Sequence, residues 1–119
     1  MVYPEIVIPL RLMSKARPRV TSRGTYMPKP YQEWRRECAD ILKQSWGLPP
    51  IDHPIAVEID CYGTARGDID NYMGALFDCG NRIIWADDRA SIIQKATISY
   101  YKRSTAHSCW ILRVYDLLE

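Results

Sequence analysis

Two acidic groups stand in the segment RGDIDNYMGALFDCGNRIIWADDR: Asp68-Ile69-Asp70-Asn71 near its start and Asp87-Asp88 near its end. Four carboxylates brought together repel one another unless a cation sits among them, and carboxylate oxygens are the donors that Mg²⁺ takes. Extended backbone points Asp68 and Asp70 the same way, whereas in a helix residues two apart diverge by about 200°. A helix that starts at or near Asp70 reconciles the two. From there Ile69, Tyr72, Met73, Leu76 and Phe77 fall on one side, so the spacing predicts a helix that buries this stripe and stops at Gly80. Asp70, Gly74 and Asp78 drift around an opposite, more polar face in steps of four. A simpler chemistry is open to the same residues. Asp-x-Asp at a helix start serves as a cap and offsets the helix dipole, and Asp-Asp before Arg makes a solvated turn.

The elements that must position these acids are readable on either side. Ile55, Val57, Ile59 and Cys61 alternate with Ala56, Glu58 and Asp60, which predicts a strand that delivers the chain to Asp68. Glu58 and Asp60 then belong to an exposed sheet face. After Asp88 a strand is predicted over residues 92–101, with Ile92, Gln94, Ala96, Ile98 and Tyr100 on one side, and a last one over residues 110–115. Near the N-terminus, residues 5–10 read as a short edge strand between Pro4 and Pro9. Tyr31, Trp34, Cys38, Ile41, Leu42, Ser45 and Trp46 keep a helical spacing from Pro30 until Gly47. The aromatics of that stripe are core or subunit contacts in preference to base-stacking platforms. His53 lies between Asp52 and Pro54 in a connector and His107 in a polar turn, so both are surface residues.

Between the first strand and that helix, residues 11–29 carry Lys15, Arg17, Arg19 and Arg23, broken by Pro18 and Gly24. This predicts a loop or an extended arm, and if it is extended Lys15, Arg17 and Arg19 share a side. Such a row can follow phosphates, with arginine gripping them bidentately. The charge distribution agrees: residues 1–36 hold eight Lys and Arg against two acids, and residues 37–119 hold eight against twelve. A basic segment suits a polyanion, and an acidic remainder suits a metal.

Composition bounds the rest. With 119 residues, 47% hydrophobic and 25% charged, the chain is predicted to be a single domain, 1–119, of ordinary globular type. No apolar run is long enough to cross a membrane and no leader-like segment opens the sequence, so a cytoplasmic location is expected. Cys38, Cys61, Cys79 and Cys109 lie too far apart for a zinc site, and Cys38 and Cys61 fall on apolar faces, as buried reduced thiols do. The order of strand, arm, helix, strand, acidic helix, strand, strand predicts an α+β domain. Its mixed β-sheet carries two main helices on one face.

The acidic segment resembles the signature of the RusA-like Holliday junction resolvases, a family of small endodeoxyribonucleases. Their Asp-x-Asp-Asn, Phe-Asp and Asp-Asp elements read here as Asp68-Ile69-Asp70-Asn71, Phe77-Asp78 and Asp87-Asp88. Upstream, KARPRVTSRGTYMPKPYQEW is similar to the family's basic Arg-Pro-Arg segment that leads into a helix.

The resemblance implies an Mg²⁺-dependent endonuclease that resolves four-way DNA junctions in recombination and repair. It would act as a homodimer, and the four tryptophans are compatible with a dimer face. Asp68, Asp70 and Asp88 would be the catalytic metal ligands, with Asp87 as their neighbour. Lys15, Arg17, Arg19, Arg23 and Arg66 would bind DNA. One position departs from the pattern: members carry a lysine where this chain has Gly74. Arg66 and Lys95 are candidates to replace it, and no spacing places either there. The alternatives are a non-catalytic branched-DNA-binding protein of the same fold, and an interaction module whose basic arm and acidic helix pair within a protein assembly.

Overall fold

The computed structural model describes residues 2–117. It is α+β, with one mixed four-stranded sheet, two helices and a separate hairpin. In chain order the elements are β1 (Ile6–Ile8), β2 (Arg19–Thr21), β3 (Gly24–Tyr26), α1 (Lys29–Trp46), β4 (Ile55–Gly63), α2 (Ile69–Gly80), β5 (Ile93–Lys102) and β6 (Cys109–Asp116). A short 3₁₀ turn, Thr105–His107, joins the last two. The sheet order is β1-β6-β4-β5. Only β4 and β5 are parallel, because a parallel pair needs a crossover, and α2 is that crossover. The acidic helix is therefore the connection of a β-α-β unit.

Alternation along the strands decides where the core lies. Ile55, Val57, Ile59 and Cys61 of β4 are buried with Trp110, Leu112 and Val114 of β6, and both helices cover that face. The opposite face is open. There Arg113 binds Glu5 (2.8 Å), Glu58 (3.0 Å) and Asp60 (2.8 Å), so Glu58 and Asp60 are committed to a sheet-face ion network. The bonds to Asp60 and then Glu5 push the Arg113 guanidinium further above its ordinary range. On β5 the expected parity holds from Ala96 to Tyr100, which pair with Val57 to Cys61. It fails earlier: Ile55 pairs with Ile93 and Ala56 with Lys95, so Gln94 is an extra residue that turns Ile93 toward the core.

Helix α1 buries Tyr31, Trp34, Cys38, Leu42 and Trp46, as its spacing predicts. Trp34 packs against Trp110 with ring centres 5.5 Å apart. All four tryptophans are buried in the single chain, which removes them from any dimer face. Cys38, Cys61 and Cys79 are buried free thiols, and burial pushes Cys61 up to about 12. His53 is half exposed and bonds Asp116 (2.7 Å), and His107 bonds Ser104 (2.7 Å). Among the described residues no helix is long and apolar enough to cross a membrane.

Candidate active site

The basic segment enters the site under restraint. The carbonyl of Arg11 accepts both the Trp34 indole N–H (2.9 Å) and the Trp110 indole N–H (3.3 Å), and Leu12 is buried beside them. Two core indoles thus fix where the segment leaves β1. At Lys15 it touches α2, where the backbone N–H donates to the Asn71 carbonyl (2.7 Å). Beyond this point Arg17, Arg19 and Arg23 are exposed, and the segment is more ordered than a plain arm because β2 and β3 pair as a small hairpin. Arg19 and Arg23 sit on that hairpin, whereas Lys15 stays against the helix.

The first acidic pair stands where α2 begins. The Tyr72 hydroxyl accepts the backbone N–H groups of Arg66 (2.9 Å) and Gly67 (3.1 Å), and its ring is buried. This folds the approach loop over the first turn and leaves the Arg66 residue exposed just before Asp68. Asp68 has extended backbone (φ −75°, ψ 145°), and its side chain makes no capping hydrogen bond. The capping alternative therefore fails for Asp68, whose carboxylate is left for another partner. Asp70 lies in the first turn, at the positive end of the helix dipole. The buried stripe of α2 is rotated from the expected one: Tyr72, Ala75, Leu76 and Cys79 are buried, whereas Ile69 is exposed. Packing against α1 as well as the sheet selects that face, and Ile69 lies at the helix end, lining a small apolar cavity with Ile98 and Tyr100.

The second pair is set by Trp85. Its buried indole lies against Gly80, where an added Cβ would stand 2.7 Å from Cε2, and its N–H donates to the Phe77 carbonyl (3.2 Å). The turn is closed by Arg82 N–H to Trp85 O (2.7 Å) and is laced to Ile51 on both sides of Trp85 (Ile51 N–H to Ile84 O and Ala86 N–H to Ile51 O, each 2.8 Å). Asp87 and Asp88 emerge from this turn and diverge in character. Asp87 accepts the Asp88 N–H (2.8 Å) and both Nε (3.1 Å) and Nη2 (3.0 Å) of Arg89, which lower its pKa. Asp88 moves upward, first through burial and then through the Asp87 carboxylate beside it, with Asp78 adding to the negative field. The solvated-turn alternative thus describes Asp87, while Asp88 holds surplus negative charge.

Between the pairs runs a link that the sequence did not announce. Asp78 accepts the Tyr31 hydroxyl (2.8 Å) and forms an ion pair with Lys15 (3.2 Å). Burial and that carboxylate push the Tyr31 phenol well above its usual range. Lys15 reaches Asp78 by lying across Gly74, where an added Cβ would stand 3.3 Å from its Cδ. Position 74, where the resemblance leads one to expect a lysine, is thus covered by Lys15, and neither of the two expected candidates does this. Lys95 groups with Glu58, Thr97 and Tyr115 away from the helices, and Arg66 belongs to the approach loop. Arg35, Arg82 and Arg89 also escaped the sequence reading. With Asp78, Asn81 and Asp87 they line an open groove of about 430 Å³ beside the second acidic pair. No local spacing links α1 to the 81–89 turn, so only the packing of α1 on α2 shows it.

The donors suit a hard divalent ion, being carboxylates throughout, and burial followed by the neighbouring Asp87 carboxylate raises the Asp88 pKa. Among the described residues no three His, Cys, Asp or Glu side chains are gathered as a ready ligand set. Asp68 and Asp70 stand at the start of α2, Asp78 lies near its end, and Asp87 and Asp88 follow it. About 12 Å of helix axis lies between Asp70 and Asp78. No curated protein matches the chain. The family model described as Endodeoxyribonuclease RusA matches residues 9–107, which spans the basic segment, both helices and both acidic pairs. The chain therefore belongs to the RusA endodeoxyribonuclease family.

Proposed function

We propose that this protein is an Mg²⁺-dependent, structure-selective endodeoxyribonuclease that resolves four-way junctions by paired phosphodiester hydrolysis. The observation that carries the reading is the family match over residues 9–107, within which Asp68 is left uncapped at the start of α2. Asp68, Asp70 and Asp88 would hold the ion, with Asp87 as a neighbour engaged by Arg89. When bound, the ion supplies Lewis-acid stabilisation of phosphoryl oxygens and a more acidic water.

The chain's own residues grip and orient the strand. Arg17, Arg19, Arg23 and Arg66 hold backbone phosphates, with affinity that falls as salt rises. The water oxygen bonds to phosphorus as one ester P–O bond breaks, and the departing oxygen leaves protonated as a hydroxyl. Two such cuts, symmetrically placed, suit a two-fold dimer with two equivalent sites. Selectivity for the junction rests on the shape of branched DNA.

The test is cleavage of a synthetic four-way junction beside a linear duplex, with Mg²⁺ or EDTA, by the wild type and by Asp70→Asn. Paired metal-dependent nicks on the junction, lost in Asp70→Asn with binding retained, are expected. An active Asp70→Asn protein would sink the assignment. That no three carboxylate, His or Cys side chains are gathered as a ligand set among the described residues favours one second reading, a non-catalytic branched-DNA-binding protein of this fold. Tight junction binding without nicks would establish that reading instead.

A further inference from the structure

We infer that Lys15, seated in the notch that Gly74 leaves on α2, is the cation this site sets against the scissile phosphate; the inference rests on the nuclease reading above. Three observations carry it. The Lys15 backbone is fixed to the helix through the Asn71 carbonyl (2.7 Å), so its side chain starts from a defined point. Its stem runs over Gly74, which lies one helical turn from Asp70 and one from Asp78. Its ammonium meets Asp78 (3.2 Å) yet keeps a side-chain exposure of 46%, so a phosphate can reach it from outside.

Position 74 thus lies midway between Asp70 and Asp78 along the helix, and among the described residues the side-chain atoms within 4 Å of a Cβ added there belong to Lys15. Any residue larger than glycine there would contest that lane, since an added Cβ falls 3.3 Å from Cδ and 3.6 Å from Cβ of Lys15. Glycine leaves that lane open for a cation from the basic segment to lie on the acidic helix. In the free protein Asp78 holds the ammonium in place, itself oriented by the Tyr31 hydroxyl (2.8 Å). With DNA bound, the ammonium turns from Asp78 to a non-bridging phosphate oxygen, where negative charge grows as water attacks. Arg17, Arg19 and Arg23, on exposed backbone, contribute to holding the strand.

The geometry also predicts an exchange. A lysine at position 74 would leave the helix from the lane that Lys15 occupies, so Gly74→Lys should substitute for Lys15 once that side chain is cut back. The experiment measures single-turnover nicking of a four-way junction at saturating protein, together with junction affinity and thermal midpoint. The proteins compared are the wild type, Lys15→Met, Lys15→Ala, the double variant Lys15→Ala/Gly74→Lys, and Lys95→Met as a control. Lys15→Met keeps the stem and removes only the charge. Its nicking rate is expected to fall about 10²-fold, as when one preorganised charge donor is lost. Its junction affinity should change less than about fivefold, the scale of a single exposed charge. The double variant should nick at least about tenfold faster than Lys15→Ala, short of wild type because small displacements are costly. Lys95→Met should match the wild type.

A Lys15→Met protein that nicks at the wild-type rate, or whose defect lies only in affinity, overturns the inference and leaves the nuclease reading standing. So does a double variant no faster than Lys15→Ala. If the wild type itself makes no nick, the nuclease reading falls and the inference falls with it.

Discussion

At the scale of single residues, two adjacent aspartates that look equivalent in sequence are held in different states. Asp87 spends its oxygens on Arg89 and on the Asp88 N–H, whereas Asp88 is part-buried beside like charge. If Asp88 holds the ion as proposed, Asp88→Asn is expected to reduce junction nicking by about 10²-fold or more at saturating Mg²⁺, because it would remove one of the proposed ligands. Asp87→Asn should cost less than about tenfold, since its role is to shape the turn. Nicking rates of the two variants side by side decide this, and equal losses would mean that both carboxylates serve the chemistry. Residue types and spacing made the acids legible, and at Asp68 they favoured a cap over a metal ligand while leaving both open. The uncapped geometry at the start of α2 separated those readings, because capping depends on a rotamer and not on residue type.

At the scale of elements, the position of the second acidic pair depends on one close contact, the indole of Trp85 lying on Gly80 at the end of α2. Gly80→Ala has nowhere to put its methyl group. It should destabilise the protein by about 1–3 kcal/mol through overpacking, read as a lowered denaturation midpoint. It should also reduce nicking by more than the stability loss explains, because the 81–88 turn moves with the indole; an unchanged rate in folded protein would show that the turn does not place Asp88. The basic segment makes a parallel case. Its mixture of proline, glycine and arginine predicted a loop or arm, and two tryptophan N–H groups on the Arg11 carbonyl together with the Asn71 bond pin its first part. Arg19→Ala on the hairpin should lower the slope of log affinity against log salt by about 1, with nicking at saturation unchanged. An unchanged slope would remove the hairpin from the DNA interface.

At the scale of the whole molecule, the chain ends are tied across the sheet through Asp116, which accepts the Tyr3 hydroxyl (2.6 Å) and meets His53 (2.7 Å). Those bonds, Tyr3 first, lower Asp116 from 3.8 to about 2. A carboxyl whose folded pKa is depressed stabilises the protein above its unfolded pKa, and that contribution is lost as pH falls through the folded value. The wild type should therefore lose more of its thermal midpoint between pH 4 and pH 2 than Asp116→Asn does, as followed by circular dichroism. Parallel curves would show that the cluster contributes nothing to acid stability.

The sequence by itself determined the class of the fold, the four strands of the main sheet and the two helices to within a few residues, and the two acidic groups, because hydrophobic periodicity and turn residues act locally; the β2–β3 hairpin it read as a loop or arm. The family resemblance, and not spacing, marked position 74 as a place where a lysine is expected. Which residue covers that position, which face α2 buries, and which arginines join the acids were decided only when α1, α2 and the segment after β1 packed together. Lys15 and Gly74 are 59 positions apart in the chain. Contacts at that separation carry no signature in spacing, since they arise from side chains filling space on one helix that a distant segment happens to cross.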